Sequence, residues 1–262
     1  KHPDYLDLFI AMTGRTPNTG VYLEKNRQPV CEIQVTLPTS FDDAIWPMVG
    51  WLAGHKSPNG IPLLSGLEDI SINNDGLKAL CAAFGTTSAA PMIHIKGHTP
   101  EDELQNIKCA NSSSIMPIDL LNLWQNFNTG NNKIDLVAIG SPHASTSECL
   151  KFLEFLMDKN EVVNVPTILT VGRETLVKLE EQGHLNQLTK LGVQVVPDIC
   201  WCSITEPIFP SKTQSLVTNS GKYAHYGKGL TGRNVRFGSL ENCASASING
   251  YVDDDFPQWL KA

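Results

Sequence analysis

The chain has 262 residues, 41% of them hydrophobic, enough to bury the core of one large or two smaller domains. A formal net charge of -7 leaves no basic stripe to neutralise phosphates, which argues against a sequence-independent nucleic-acid binder. No apolar run approaches the roughly 20 residues of a membrane span and no basic start with an apolar core marks a signal peptide, so a cytoplasmic address is expected.

The chain starts at Lys1 without an initiator methionine and enters an amphipathic helical pattern over residues 5–12, as if it were part of something longer. A Gly/Pro/Asn loop follows over residues 13–20, then an alternating strand over 30–37. Ser40 reads as the N-cap of a helix with Asp42 and Asp43 in its first turn and Ile45, Trp46, Val49, Trp51 and Leu52 beyond. Residues 61–64 read as a strand, 74–84 as a helix and 92–95 as a strand. After a polar connector over 98–114 and a helix near 118–127, a second series begins. It runs through a strand at 134–139, a helix at 146–157 capped by Ser145, a strand at 166–171 and helical segments over 174–190. Short strands at 193–196 and 216–217 and a closing helix at 239–247 complete it. Alternation of strands and helices predicts an α/β protein of two units, residues 1–110 and 111–262, with parallel or mixed sheets covered by helices.

Seven cysteines, Cys31, Cys81, Cys109, Cys149, Cys200, Cys202 and Cys243, are an odd number at spacings that suit no disulfide framework, so reduced thiols are expected. The spacing of Cys200 and Cys202 is poor for a redox disulfide and, without a second pair, weak for zinc.

Chemistry concentrates where apolar runs end in small residues, because ligands of open α/β sheets bind outside the carboxyl edge. One such place is Gly140-Ser141-Pro142-His143-Ala144-Ser145, which reads either as a loop offering Ser141 and His143 to a metal or substrate or as a turn with an N-cap. A second is Asp198-Ile199-Cys200, where the thiol is a metal ligand, a nucleophile or a small core residue. The third is Ser220-Gly221-Lys222 with His225 and Tyr226, where free amides and an ammonium suit a carboxylate or phosphate. Arg15, Arg27 and Thr86-Thr87-Ser88 are further candidates for holding an anion.

Taken in order along the chain, these motifs resemble the catalytic region of the aconitase X family. The resemblance is carried by Met12-Thr13-Gly14-Arg15-Thr16-Pro17, Leu63-Leu64-Ser65-Gly66, Phe84-Gly85-Thr86-Thr87-Ser88-Ala89-Ala90-Pro91-Met92, Gly140-Ser141-Pro142-His143, Asp198-Ile199-Cys200, Ser220-Gly221-Lys222 with His225-Tyr226, and Gly238-Ser239-Leu240 with Cys243. It implies two aconitase-like α/β units and an iron-dependent hydro-lyase, with a swivelling domain and a third metal ligand expected outside this chain, the ligand upstream of Lys1. Ser141 and Cys200 would then be metal ligands. Because many relatives carry cysteine where this chain has Ser141, the hard alcohol oxygen favours a lone iron over an iron-sulfur cluster.

The resemblance further implies water elimination from cis-3-hydroxy-L-proline, a small hydroxy acid, with mevalonate 5-phosphate as the alternative substrate. Ser220, Lys222, Thr87 and Arg15 would hold the substrate's anionic group. His143 and His225 are the candidate proton-handling groups, although the base of such enzymes is often a serine of the swivelling domain. A metal-free inactive fragment and a cysteine hydrolase built on Cys200 with His143 or His225 are the competing readings.

Overall fold

The computed structural model describes residues 4–101 and 111–261. Cys109 and most of the connector expected over 98–114 therefore lie outside the described residues. The elements alternate as expected, and both sheets are parallel at every strand pair.

Helix α1 (Asp4–Thr13) leads the chain, with Tyr5, Leu8, Phe9 and Met12 of its apolar pattern exposed. The first sheet contains β1 (Cys31–Val35), β2 (Pro62–Ser65), β3 (His94–Ile95) and β4 (Asn111–Ile115) in the order β3-β2-β1-β4. Its helices are α2 (Ile45–Lys56), α3 (Asn74–Thr87) and α4 (Pro117–Phe127). The second sheet contains β5 (Leu136–Ala144), β6 (Thr167–Val171), β7 (Val193–Pro197), β8 (Ser215–Thr218) and β9 (Asn234–Phe237) in the order β7-β6-β5-β8-β9. Around it lie α5 (Thr146–Lys159), α6 (Arg173–Glu181), α7 (His184–Lys190), α8 (Gly221–Thr231) and α9 (Leu240–Asn249).

Four expectations need correction. β4 pairs with β1 from Cys31 opposite Asn111 to Val35 opposite Ile115, so residues 111–127 belong to the first unit and the division expected at 110/111 moves to the segment between Phe127 and Leu136. Ser40 does not cap α2, which begins at Ile45; the Asp42 carboxylate instead accepts the Ala44 N–H at 3.0 Å. The segment Gly140–Ala144 is the end of β5 rather than a turn, with a break in register between Ile139 and Ala144. Strand β9 was not expected, because Asn234-Val235-Arg236-Phe237 places a charge in the middle of a short run.

That charge is accommodated rather than exposed. The Arg236 guanidinium donates to Asn128 Oδ1, the Gly130 carbonyl, Asn132 Oδ1 and the Asp254 carboxylate, tying the inter-unit linker and the C-terminal tail to β9. Shared packing joins the units further. Phe237 lies in the same apolar core as Ile45, Met48, Leu80 and Leu120, and α8 packs on α2 and α3.

Ser145 and Ser239 cap α5 and α9, each accepting the N3 amide while Glu148 or Asn242 reaches back to the cap N–H. Asp43, from the loop after β1, also accepts the Leu240 N–H at 2.9 Å at the start of α9. Replacing Ser239 with alanine is expected to cost about 1 kcal/mol, seen as a melting temperature lower by about 2–4 °C. An unchanged melting temperature would show that Asp43 alone suffices.

Candidate active site

The second sheet reverses direction of winding beside β5, with β6 on one flank and β8 on the other, so the loops after β5 and β8 part and leave a crevice. Ser141 and Ser220 face each other across it: the Ser220 hydroxyl donates to the Ser141 carbonyl and accepts the Tyr223 N–H at 3.0 Å as the cap of α8. Gly140 precedes with φ 102°, and a Cβ there would stand 2.2 Å from the Thr170 carbonyl, so the chain passes where no other residue fits. Thr170 donates to the Gly140 carbonyl at 2.7 Å.

Ser141 is 5% exposed, and its hydroxyl has no hydrogen-bond partner among the described residues. A buried unpaired hydroxyl costs about 1–3 kcal/mol, and Ser141 is one of several such groups among the described residues, set apart by its place at a strand end. Beside it, lined by Ser141, Lys78, Glu148, Asn219 and Gly221, is a cavity of about 20 Å³, room for one water-sized atom.

The loop after β7 is stitched to β5. Trp201 Nε1 donates to the Ile139 carbonyl at 2.8 Å, and His143 Nε2 lies 3.0 Å from the Ile199 carbonyl. Because a carbonyl only accepts, His143 carries its proton on Nε2 and leaves Nδ1 as an acceptor. Cys200 and Cys202 are both exposed, and the Cys202 N–H points to Cys200 Sγ at 3.4 Å. Partial burial and the adjacent Cys200 push the Cys202 thiol above its ordinary pKa, against a weaker opposing pull from the Lys222 ammonium. The Tyr223 hydroxyl, also buried without a described partner, is raised by burial and by the same two sulfurs. The carboxylate of Asp198 does not serve Cys200: it accepts from the Arg173 backbone at 3.0 Å and side chain at 2.8 Å. These hydrogen bonds hold it below the usual carboxylate range.

A larger cleft of about 440 Å³ adjoins the small cavity and shares Ala79, Glu148 and Asn219 with it. Loops from the carboxyl ends of both sheets form it: Asp42 and Asp43 after β1, Ser71 and Asn73 after β2, Ser147 and Glu148 after β5, Asn219 after β8 and Leu240 after β9. Asp75 and Lys78 of α3 meet Glu148 and the Ser145 and Ser147 hydroxyls of the other unit at its floor. Burial disfavours the Lys78 charge, yet Glu148 and Asp75 together hold its pKa above the ordinary lysine value. Glu148 is raised by burial that Lys78 only partly offsets. No sequence pattern announced this cluster, whose partners across the two units are 65 to 72 positions apart.

Not all expected site residues gather here. Ser220 is present, but its hydroxyl is committed to Ser141 and cannot also donate to a substrate. Thr87 donates to the Trp51 carbonyl at 2.8 Å, and His225 Nδ1 accepts from Trp51 Nε1 at 3.1 Å, so both serve the contact with α2. Burial lowers the His225 pKa. Arg15 is exposed in the loop after α1, where its backbone N–H meets Thr13 Oγ1. Lys222, on the first turn of α8, forms no ion pair among the described residues.

The expected iron finds a partial donor set. Ser141 supplies an oxygen with no competing bond beside an atom-sized cavity, whereas Cys200 is exposed and its recorded contact is to Cys202. Among the described residues no group of three His, Cys, Asp or Glu side chains converges as a metal site. The free Ser141 oxygen suits a hard metal ion, and a complete ligand set would need at least one donor beyond Ser141 and Cys200.

Two parallel α/β units direct their carboxyl edges into one cleft, the position at which open α/β sheets bind their ligands. Residues 28–124 match the aconitase X second domain and residues 134–249 the aconitase X third domain. The chain belongs to the aconitase X family. It is 35% identical to the cis-3-hydroxy-L-proline dehydratase of Hypocrea jecorina, over 100% of this chain and 46% of that protein. It is 36% identical to the enzyme of the same name from Pseudomonas aeruginosa, over 99% and 46%. The phosphomevalonate dehydratase large subunit of Methanocaldococcus jannaschii is 31% identical, over 89% and 59%. The crystal structure of Thermococcus kodakaraensis aconitase X in its holo-form superposes with a TM-score of 0.80 at 26% identity, covering 92% of this chain and 60% of that one. The chain thus spans about half the length of the two hydroxyproline dehydratases it matches. No described helix is long and apolar enough to cross a membrane.

Proposed function

We propose that the intact protein is a hydro-lyase that eliminates water from cis-3-hydroxy-L-proline, with the site at the crevice between β5 and β8. The observation that carries this reading is the similarity along essentially the whole chain to two enzymes of that name, at 35% and 36% identity. Elimination breaks the α C–H and β C–O bonds; a base takes the proton, the hydroxyl leaves as water, and the enamine product tautomerises to a cyclic imine.

Lys222 and the free amides at the start of α8 attract the substrate carboxylate. His143 offers Nδ1 to accept or return a proton, since its Nε2–H is held by the Ile199 carbonyl. Trp201 and Tyr223, packed in the core with ring centroids 5.3 Å apart, brace the loop after β7 against the start of α8. Ser141 and, on the loop tied to β5, Cys200 are the residues of this chain that would hold an iron, with a further ligand supplied from outside it. A bound iron would act as a Lewis acid on the departing hydroxyl, and an alcohol ligand suits a lone iron.

A phosphate held jointly by Lys222 and Arg15 has no support in the geometry, because no described contact ties Arg15 to the crevice. The test is to offer the intact protein both substrates with and without a chelator. Turnover of cis-3-hydroxy-L-proline that the chelator abolishes is expected. Turnover of mevalonate 5-phosphate alone would overturn the substrate assignment, and chelator-insensitive turnover lost in Cys200→Ser would favour a cysteine mechanism.

A further inference from the structure

We propose that Lys78 is a positioning residue, which sets the Ser141-Pro142-His143 strand end from the opposite unit; the proposal rests on the functional reading of that strand end given above. The sheet alone does not hold this segment. Pairing of β5 with β6 runs to Ile139 and resumes at Ala144, so the site-bearing residues sit in a break of the ladder. Their backbone is held instead by side chains: Thr170 on the Gly140 carbonyl, Ser220 on the Ser141 carbonyl and Lys78 on the His143 carbonyl at 3.1 Å.

Of these three, only Lys78 comes from the first unit. Its ammonium has three protons, and three acceptors take them: Asp75 Oδ1 at 3.1 Å, the His143 carbonyl and the Glu148 carboxylate. No donor remains for a substrate, which separates Lys78 from Lys222 in role. Charge-assisted bonds of this kind are short and directional, and here they run from α3 to both the strand end and the start of α5. Asp75 strengthens the same junction by accepting from Ser145 and Ser147. The place of Ser141 and His143 is therefore referred to the first unit, across the cleft where the substrate would sit.

Lys78→Met removes the clamp but also strands the buried Glu148 carboxylate near Asp75, which by itself destabilises. The double variant Lys78→Met/Glu148→Gln removes that orphan charge, and Lys78→Arg retains a cation that can reach the same acceptors. In the intact protein Lys78→Met is expected to lower kcat at least about 10-fold with KM changed less than about threefold, and to speed amide hydrogen exchange over residues 143–145. The double variant should regain melting temperature while kcat and exchange stay impaired, and Lys78→Arg should recover part of both. Recovery of kcat together with melting temperature in the double variant would overturn the proposal, as would unchanged exchange in Lys78→Met. If the wild-type protein dehydrates nothing while the exchange pattern follows expectation, the clamp stands and the proposed reaction falls.

Discussion

Ser141→Ala is expected to lower dehydratase kcat at least about 10²-fold while leaving the fold as stable as before, or slightly more so. The two effects part because the Ser141 hydroxyl is buried without a partner among the described residues and so contributes nothing to holding the structure. Deleting it relieves an unsatisfied polar group that costs about 1–3 kcal/mol, a gain offset in part by the packing lost with one buried oxygen atom. Steady-state kinetics and thermal melting on the same preparation check both halves. A variant that keeps full activity would remove Ser141 from the site, and one that melts several degrees lower would show that the hydroxyl is a structural bond donor.

The largest effect on stability is expected at Gly50→Ala. Among the described residues helices α2 and α3 make the most extensive helix contact, and they can do so because Gly50 lets the backbones touch. A Cβ there would lie 2.0 Å from the Leu80 carbonyl oxygen, which belongs to backbone and cannot swing aside. The helices would have to separate, with a cost of about 2–4 kcal/mol and a melting temperature lower by roughly 5–12 °C. Gly85→Ala in α3 is the control: nothing lies within 4 Å of its would-be Cβ, so better helix propensity should stabilise by about 0.5–1 kcal/mol. Equal melting temperatures for the two variants would refute the close-packing account. Because α3 also carries Asp75 and Lys78, Gly50→Ala should disturb the cleft as well as the core.

Local patterning made much of this architecture legible. The short β-branched and apolar runs before Gly140 and over residues 167–171 form strands buried on both faces of a covered parallel sheet. Ser145 was recognisable as a cap from its residue type and its place before the helix, and the structure adds the reciprocal bond from Glu148. By contrast β4, Asn111-Ser112-Ser113-Ser114-Ile115, is an edge strand with four exposed polar residues, and only its pairing with β1 makes it a strand. That one pairing moved the division between the units. Ser40 was the cap expected from residue type, but the helix starts only at Ile45, and Asp42 instead closes a local turn onto the Ala44 N–H ahead of it.

The candidate site divides in the same way. The sequence by itself determined the family, the alternation of strands and helices, and the presence of Ser141, His143, Cys200, Ser220 and Lys222 at strand ends, because these depend on residue order and local periodicity. Only the tertiary structure decided what each group is free to do. It committed Ser220 to Ser141 and Thr87 and His225 to Trp51, left Arg15 in solvent, and freed the Ser141 hydroxyl from every described partner. It also assembled Asp75, Lys78 and Glu148 into one clamp. The physical reason is that hydrogen bonds and ion pairs between residues some 70 positions apart are set by how two helices and two sheets pack, and no local pattern encodes that.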